Sequence, residues 1–494
     1  MNHQPPFRPD EALRTRLRAA ASPLMDDHGG APLSCLSDLE AIHWLDRAWL
    51  VMLHAGGVIP DQRIGRYLRV IADFDPANPP AEASGAGSAW YSGETLLIRT
   101  LGLDVGGDIH VGRSTHDIFG VVWRLRLREC VLGIADSLSG LRATLLSLAS
   151  EHRATHMPYF THRVEAQNTT LGHMFHAFAS AAERDHRRLS SAYRTVDVCP
   201  AGAAAGVATL FAVDRPLLAD LLGFQDVSGN TRDAIHHDGV WEVAAAINIV
   251  SANLAHLAED VFQWLRLGFL DIGDEWCRSS SLMPGKRSVT ALEEFAQLHR
   301  TRVSGRAIDS YPVWYWAELL PHLNRTNWVL RALTGILASA HIDRQRMREA
   351  TREHWGQLTD LAALLVLDGL ATWRAAHLVL ARVARIAEDE GIAPVDLDVA
   401  LVERCARALL GRELGITDEH IARAFDVERC TRERSSLGSP GTDELIRQID
   451  AARSALAADQ REIATARNRI DSAQAALDAR IASMRERYPV EEST

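Results

Sequence analysis

The 494-residue chain carries 53 basic and 64 acidic side chains, a net charge of −11, and is 47% hydrophobic. This suits a soluble globular protein of two or three domains and argues against general nucleic-acid binding. Its six cysteines include no Cys-x-x-Cys pair, so neither a zinc knuckle nor a disulfide framework is indicated; with no signal-type segment and no bilayer-length apolar run, a cytoplasmic protein is expected.

Residues 1–113 read as a mainly helical opening domain, with helical spacing over 36–53 and a Pro/Gly/Ala/Ser-rich loop over 75–89. His110-Val111-Gly112-Arg113-Ser114-Thr115-His116-Asp117 then leads into a helical pattern that runs to about residue 152. Ser114 or Thr115 suits an N-cap and Asp117 the positive helix end, and the same free N–H groups suit an anion. Met157-Pro158-Tyr159-Phe160-Thr161-His162 and Ala166-Gln167 follow.

Ile247, Val250, Leu254, Leu257, Val261 and Trp264 alternate steps of three and four, the narrow seam of a long bundle helix. Asn253, His256 and Glu259 read as solvated or interhelical positions, and His236-His237-Asp238 is too weak a cluster to claim a metal. Next comes a polar loop, Ser279-Ser280-Ser281-Leu282-Met283-Pro284-Gly285-Lys286-Arg287-Ser288. Lys286 is the only lysine among the 53 basic residues. Arginine does not replace lysine where a compact ammonium must meet a carboxylate. Residues 310–372 stay helical, opening on an aromatic cluster over 311–316.

The last helix, over 442–488, repeats Ile449, Leu456, Ile463, Ile470, Leu477 and Met484 every seven residues, with Ala452, Ala466 and Ala473 alongside. Thr442 can cap it and Pro489 cannot continue it. The strict spacing favours pairing with another helix over lying on its own subunit. The expected domains are 1–113, a central bundle over 114–372 with the polar loop at 277–290, and a C-terminal helical domain over 373–494.

In their order and spacing these segments resemble the fumarase/aspartase superfamily, in the form found in argininosuccinate lyases. Ser280-Ser281-Leu282-Met283-Pro284-Gly285-Lys286 is similar to the family's signature loop, with Ser279 where the family has Gly and Ser288 where it has Asn. His110, Gly112, Arg113, Ser114 and Asp117 match a loop that contacts substrate. Thr115 and His116 replace an Arg-Asn pair that holds substrate carboxylates. Thr161 and His162 match the family's active-site Thr-His pair, and Gln167 keeps its offset. Glu293 lies thirteen residues after Ser280, as does the family Glu that pairs with that His. A Tyr-Asn-Arg-Asp-x-Gln type segment, which helps recognise the arginine half of argininosuccinate, is missing; residues 311–316 stand in its region.

The resemblance implies an all-α, three-domain fold whose long helices assemble into a homotetramer, with active sites shared among three subunits and no cofactor or metal. It implies β-elimination, or the reverse addition, at the C–N bond of an N-substituted aspartate, giving fumarate and an amine. By carry-over Ser280 is the base, Lys286 stabilises the developing carboxylate charge, and His162 is oriented by Glu293. Arg113, Ser114, Thr115, His116, Thr161, Gln167, Ser281 and Met283 form the substrate-binding set. Argininosuccinate itself is expected to be poor. The departures leave a catalytically silent relative, as with the lens crystallins of this fold, as the alternative; the joint presence of Ser280, His162, Glu293 and Lys286 argues for an enzyme.

Overall fold

The computed structural model describes residues 17–26, 33–79, 89–295 and 313–489. The opening domain contains α1 (Asp38–Ala55), started by a capping box between Ser37 and Glu40, and α2 (Asp61–Ala72), which buries Ile64, Tyr67, Leu68 and Ile71. Trp44 and Trp49 of α1 are among the largest fully buried side chains. They join this domain to the bundle in one continuous core.

The bundle begins with α3 (Thr115–Glu151), a helix of 37 residues. Its arginines Arg128 and Arg142 are fully buried and paired. Arg128 reaches Asp197 at 3.1 Å and the carbonyls of Leu222 and Gly223, while Arg142 meets Glu183 and Asp459. A hairpin, β1 (His156–Thr161) and β2 (Val164–Thr170), turns the chain into α4 (Leu171–Val196), which therefore runs back along α3. Then come α5 (Asp238–Arg266), the short antiparallel pair β3 (Arg278–Ser279) and β4 (Arg287–Ser288), α6 (Thr290–Phe295) and α7 (Val313–Ala338). The α5 seam is buried as its spacing requires, from Ile247 through Trp264.

A second, separate core is built from α8 (Leu358–Leu367), α9 (Trp373–Glu390), α10 (Val399–Leu410) and α11 (Asp418–Phe425). Buried Glu403 organises its end by accepting from the N–H groups of Leu414, Gly415 and Ile416 at 2.7–2.9 Å.

The chain then returns to the bundle through α12 (Thr442–Arg487), 46 residues long. Here an expectation is corrected. The seam formed by Ile449, Leu456, Ile463, Ile470 and Leu477 is buried against α3 and α4 of the same chain. A seven-residue seam needs facing helices, and the antiparallel pair α3–α4 supplies the groove. Each Leu or Ile covered there contributes about 1.5–3 kcal/mol before conformational entropy is counted. Gly441, not Thr442, occupies the cap position. The fold is helical as expected, and among the described residues strands occur only in four two-stranded sheets. By length and composition α3 and α5 could cross a membrane; both are bundle helices whose apolar side chains lie in the main core.

Candidate active site

The residues singled out by sequence fall into three places. The first is the start of α3. Gly112 adopts φ +69°, and a Cβ there would press on Thr209 and Val213 at 3.3–3.4 Å, so the loop before Ser114 needs glycine. Arg113 was expected to bind substrate, yet it points inward. Its guanidinium donates to Asp46 at 2.6 Å, with side chains 1% and 4% exposed, and lies 5.6 Å over the Trp49 ring. Burial pushes the Asp46 carboxyl up while Arg113 holds it down. The arginine therefore anchors the loop from beneath.

Ser114 and Asp117 form a capping box, with Ser114 Oγ accepting from His116 N at 3.3 Å and Asp117 Oδ2 accepting from Ser114 N at 3.0 Å. Asp117 Oδ1 also accepts from Ala203 N at 2.9 Å. Burial nevertheless pushes its carboxyl up to about 7. Thr115 and His116 are half-buried on the first turn. Beside them stands His237, at the cap of α5, 5.9 Å from the Trp123 ring. Burial, then the charges of Arg124 and His116, push His237 down to about 4. Two long helices thus begin side by side at this place, where the positive ends of their dipoles favour an anion.

The second place is the β1–β2 hairpin. Its two-residue turn is His162-Arg163, with φ of 53° and 66°. Such turns favour Asn-Gly, and side chains held at these angles cost of order 1 kcal/mol or more each. A strained, exposed histidine at a hairpin tip is an arrangement that packing does not require. Thr161 and Gln167 are exposed beside it. The hairpin follows the far end of α3, a helix of 37 residues and about 54 Å, from the end that carries Thr115 and His116. One chain cannot bring the two ends to one small molecule.

The third place is the polar loop, whose seven residues 280–286 are held on the β3–β4 stem with Arg278 opposite Ser288 and Ser279 opposite Arg287. Arg287 ties the stem to Asp271 at 2.6 Å and Asp274 at 2.7 Å. Ser288 Oγ donates to the Arg278 carbonyl at 3.4 Å, so the serine standing where the family has asparagine closes the stem. Ser280 Oγ accepts from the N–H groups of Leu282 at 3.3 Å and Met283 at 3.0 Å, and Lys286 N donates to the Met283 carbonyl at 2.9 Å. Ser281, Met283 and Lys286 are exposed. Glu293 is exposed on α6, and among the described residues of one chain no ion pair joins it to His162. The aromatic cluster 311–316 lies outside the described residues, apart from the backbone of 313–316 at the start of α7.

Three features escaped sequence reading. Asp46 lies 67 residues before the arginine it holds. His237 neighbours His116 only through the fold. A cavity of about 590 Å³ opens at the foot of the hairpin, walled by Tyr159, Phe160, Gln167, Phe178, His256 and Asp260. Burial pushes Asp260 up, opposed by His256. His256, expected to be merely solvated or interhelical, thus faces a cavity.

A family model described as Lyase matches residues 87–305. The argininosuccinate lyase of Methanoculleus marisnigri is 33% identical over 456 residues, covering 86% of this chain and 90% of that protein. Argininosuccinate lyase 1 of Shouchella clausii is 27% identical over 463 residues, covering 89% and 91%. Among solved structures, EDDS lyase in complex with formate superposes with a TM-score of 0.86 at 24% identity over 98% of this chain and 99% of that one. A fumarate lyase from Mesorhizobium sp. BNC1 gives 0.66 at 17% identity over 85% and 96%. These two show the fold alone.

Proposed function

Since the chain belongs to the fumarase/aspartase superfamily, on its argininosuccinate lyase side, we propose that it is a carbon–nitrogen lyase acting on an N-substituted aspartate. It would release fumarate and an amine, or run the reverse addition. A base takes the proton from the carbon beside one carboxylate, that C–H electron pair becomes the double bond, and the C–N pair departs with nitrogen. Ser280 is the base and receives the proton, His162 protonates the leaving nitrogen, and Lys286 faces the carboxylate on which charge accumulates. Neither cofactor nor metal enters this sequence of steps.

The observation that supports the reading most is the pair of backbone N–H groups on Ser280 Oγ. A serine is a poor base unless its alkoxide is stabilised. Hydrogen bonds to a charged acceptor are worth about 1.5–3 kcal/mol each, so these donors favour the deprotonated form. The strained exposed turn at His162 and the exposed Lys286 are consistent with it.

The separation along α3 supports a site built from at least two chains, and we infer a homotetramer in which Ser114, Thr115 and His116 of one chain meet Thr161 and His162 of another. Glu293 would then pair with His162 across chains. Ser281, Met283 and Gln167 complete the substrate-binding set, and Arg113 acts by holding the loop. We further propose that the preferred substrate is not argininosuccinate, because the residues that would hold its carboxylates and guanidinium are replaced at Thr115, His116 and 311–316. The test is ultraviolet detection of fumarate release from a panel of N-substituted aspartates, run beside addition of amines to fumarate. No turnover in either direction, by a correctly assembled protein, would support the silent-relative alternative instead.

A further inference from the structure

His186 lies on α4 in the groove covered by α12, only 3% exposed, and among the described residues neither of its ring nitrogens has a hydrogen-bond partner. Its Nε2 faces Asp459 Oδ1 at 3.6 Å and Glu462 Oε2 at 3.8 Å. These separations are too long for hydrogen bonds. The other oxygen of each carboxylate is already engaged: Asp459 Oδ2 accepts from Arg142, and Glu462 Oε1 accepts from Ser190 Oγ at 2.5 Å with Arg194 at 3.8 Å. One oxygen of each acid is therefore left turned toward the imidazole. A buried imidazole without partners is costly.

We propose that His186, Asp459 and Glu462 bind a divalent transition-metal ion, zinc foremost, that ties the C-terminal helix to α4. A tetrahedral ion about 2.1 Å from each ligand holds donors about 3.4 Å apart; both imidazole-to-carboxylate spacings come within a few tenths of an ångström of this, and all three donors lie within 4.8 Å of one another. An imidazole with two monodentate carboxylates suits zinc or cobalt better than calcium or magnesium, which take mainly oxygen ligands. Arg142 and Ser190 orient the carboxylates, as outer contacts do at metal sites, and water would fill the remaining position. The positive charges of Arg142 and Arg194 make the site weaker than a closed Cys/His site. Asp459 and Glu462 share a face of α12 but lie more than 270 residues from His186, so no sequence spacing could reveal them. The role is structural and independent of the lyase reading.

The test uses the full chain, stripped with chelator and titrated with Co²⁺ and Zn²⁺. Wild-type protein should bind one equivalent per chain at this site, show cobalt d–d absorption without thiolate charge transfer, and unfold at higher temperature with zinc. His186→Gln and Glu462→Gln should each weaken that binding at least about tenfold and lose the zinc-dependent shift. Glu462 is largely exposed, so its variant tests the site even if His186→Gln fails to fold. Equal binding by wild type and Glu462→Gln, or equal stabilisation by magnesium, would overturn the proposal. So would a cobalt spectrum dominated by thiolate ligands, or the absence of binding, which would leave the imidazole serving only as a proton-dependent partner of the two acids.

Discussion

If Ser114 and His162 lie beyond opposite ends of α3, itself about 54 Å long, two inactive variants carrying one lesion at each end should repair each other. Ser114→Gly removes the hydroxyl while costing the helix cap only a few tenths of a kcal/mol. His162→Asn removes the ring from an exposed turn. Loss of a transition-state donor or of a general acid lowers turnover roughly 10²-fold or more, so each variant alone should be nearly silent. In a randomly exchanged one-to-one mixture a site draws Ser114 from one chain and His162 from another. Each is intact half the time, so about one quarter of wild-type activity returns in a symmetric oligomer. Fumarate release after exchange, verified by mass spectrometry of mixed tagged oligomers, measures this directly. Activity that stays at the level of the separate variants in verified mixed oligomers would refute the shared site.

The remaining expectations are as follows. Lys286→Arg should fold with an unchanged circular dichroism spectrum yet lose most turnover, because a planar fork cannot occupy the position of a compact ammonium; wild-type turnover would remove Lys286 from the mechanism. Asp46→Ala leaves the buried Arg113 uncompensated and should cost about 3–5 kcal/mol by urea unfolding, with a loss under about 1 kcal/mol refuting the anchoring role. Asp117 is protonated in the folded chain up to about 7, whereas the unfolded chain loses that proton near its ordinary value. Its stabilising contribution is present at acid pH and fades as pH rises through about 7, so Asp117→Asn should flatten the fall in urea midpoint between pH 5 and 8. Argininosuccinate should be turned over with a kcat/KM roughly 10² or more below that of the preferred substrate; efficient production of arginine and fumarate would contradict this.

The long helices were legible because a repeat of three and four residues survives wherever one face is buried, as from Ile247 to Trp264. The same periodicity misled at α12. Heptad spacing reports that a seam is covered but not which helix covers it, and the groove between α3 and α4 serves as well as a separate partner. The β1–β2 hairpin was hidden for another reason. Its turn, His162-Arg163, carries neither Asn nor Gly, and the β1 strand has no clean alternation of buried and exposed positions. Arg113 shows how a motif position can be legible in sequence while the direction of its side chain is not. The acid that turns its side chain inward, Asp46, is placed beside it only by packing of α1 against the bundle.

One departure from the family pattern, His116, proves to have a second histidine as its neighbour. His116 replaces an asparagine in one segment, and His236-His237 stands in another, separated by more than 110 residues of sequence; His237 nonetheless lies close enough to feel the charge of His116. The serine at 288, by contrast, is accommodated where it stands by its bond to the Arg278 carbonyl. A chain drifting toward silence would be expected to lose residues wherever its site was built, including the exposed serine loop. Here Ser280 keeps both backbone donors and the stem keeps its Arg287 ties. The changes at Ser279 and Ser288 leave that stem paired, whereas those at Thr115 and His116 fall where α3 begins beside α5, at helix ends that favour an anion. That distribution fits a lyase whose recognition of one end of the substrate has been rebuilt.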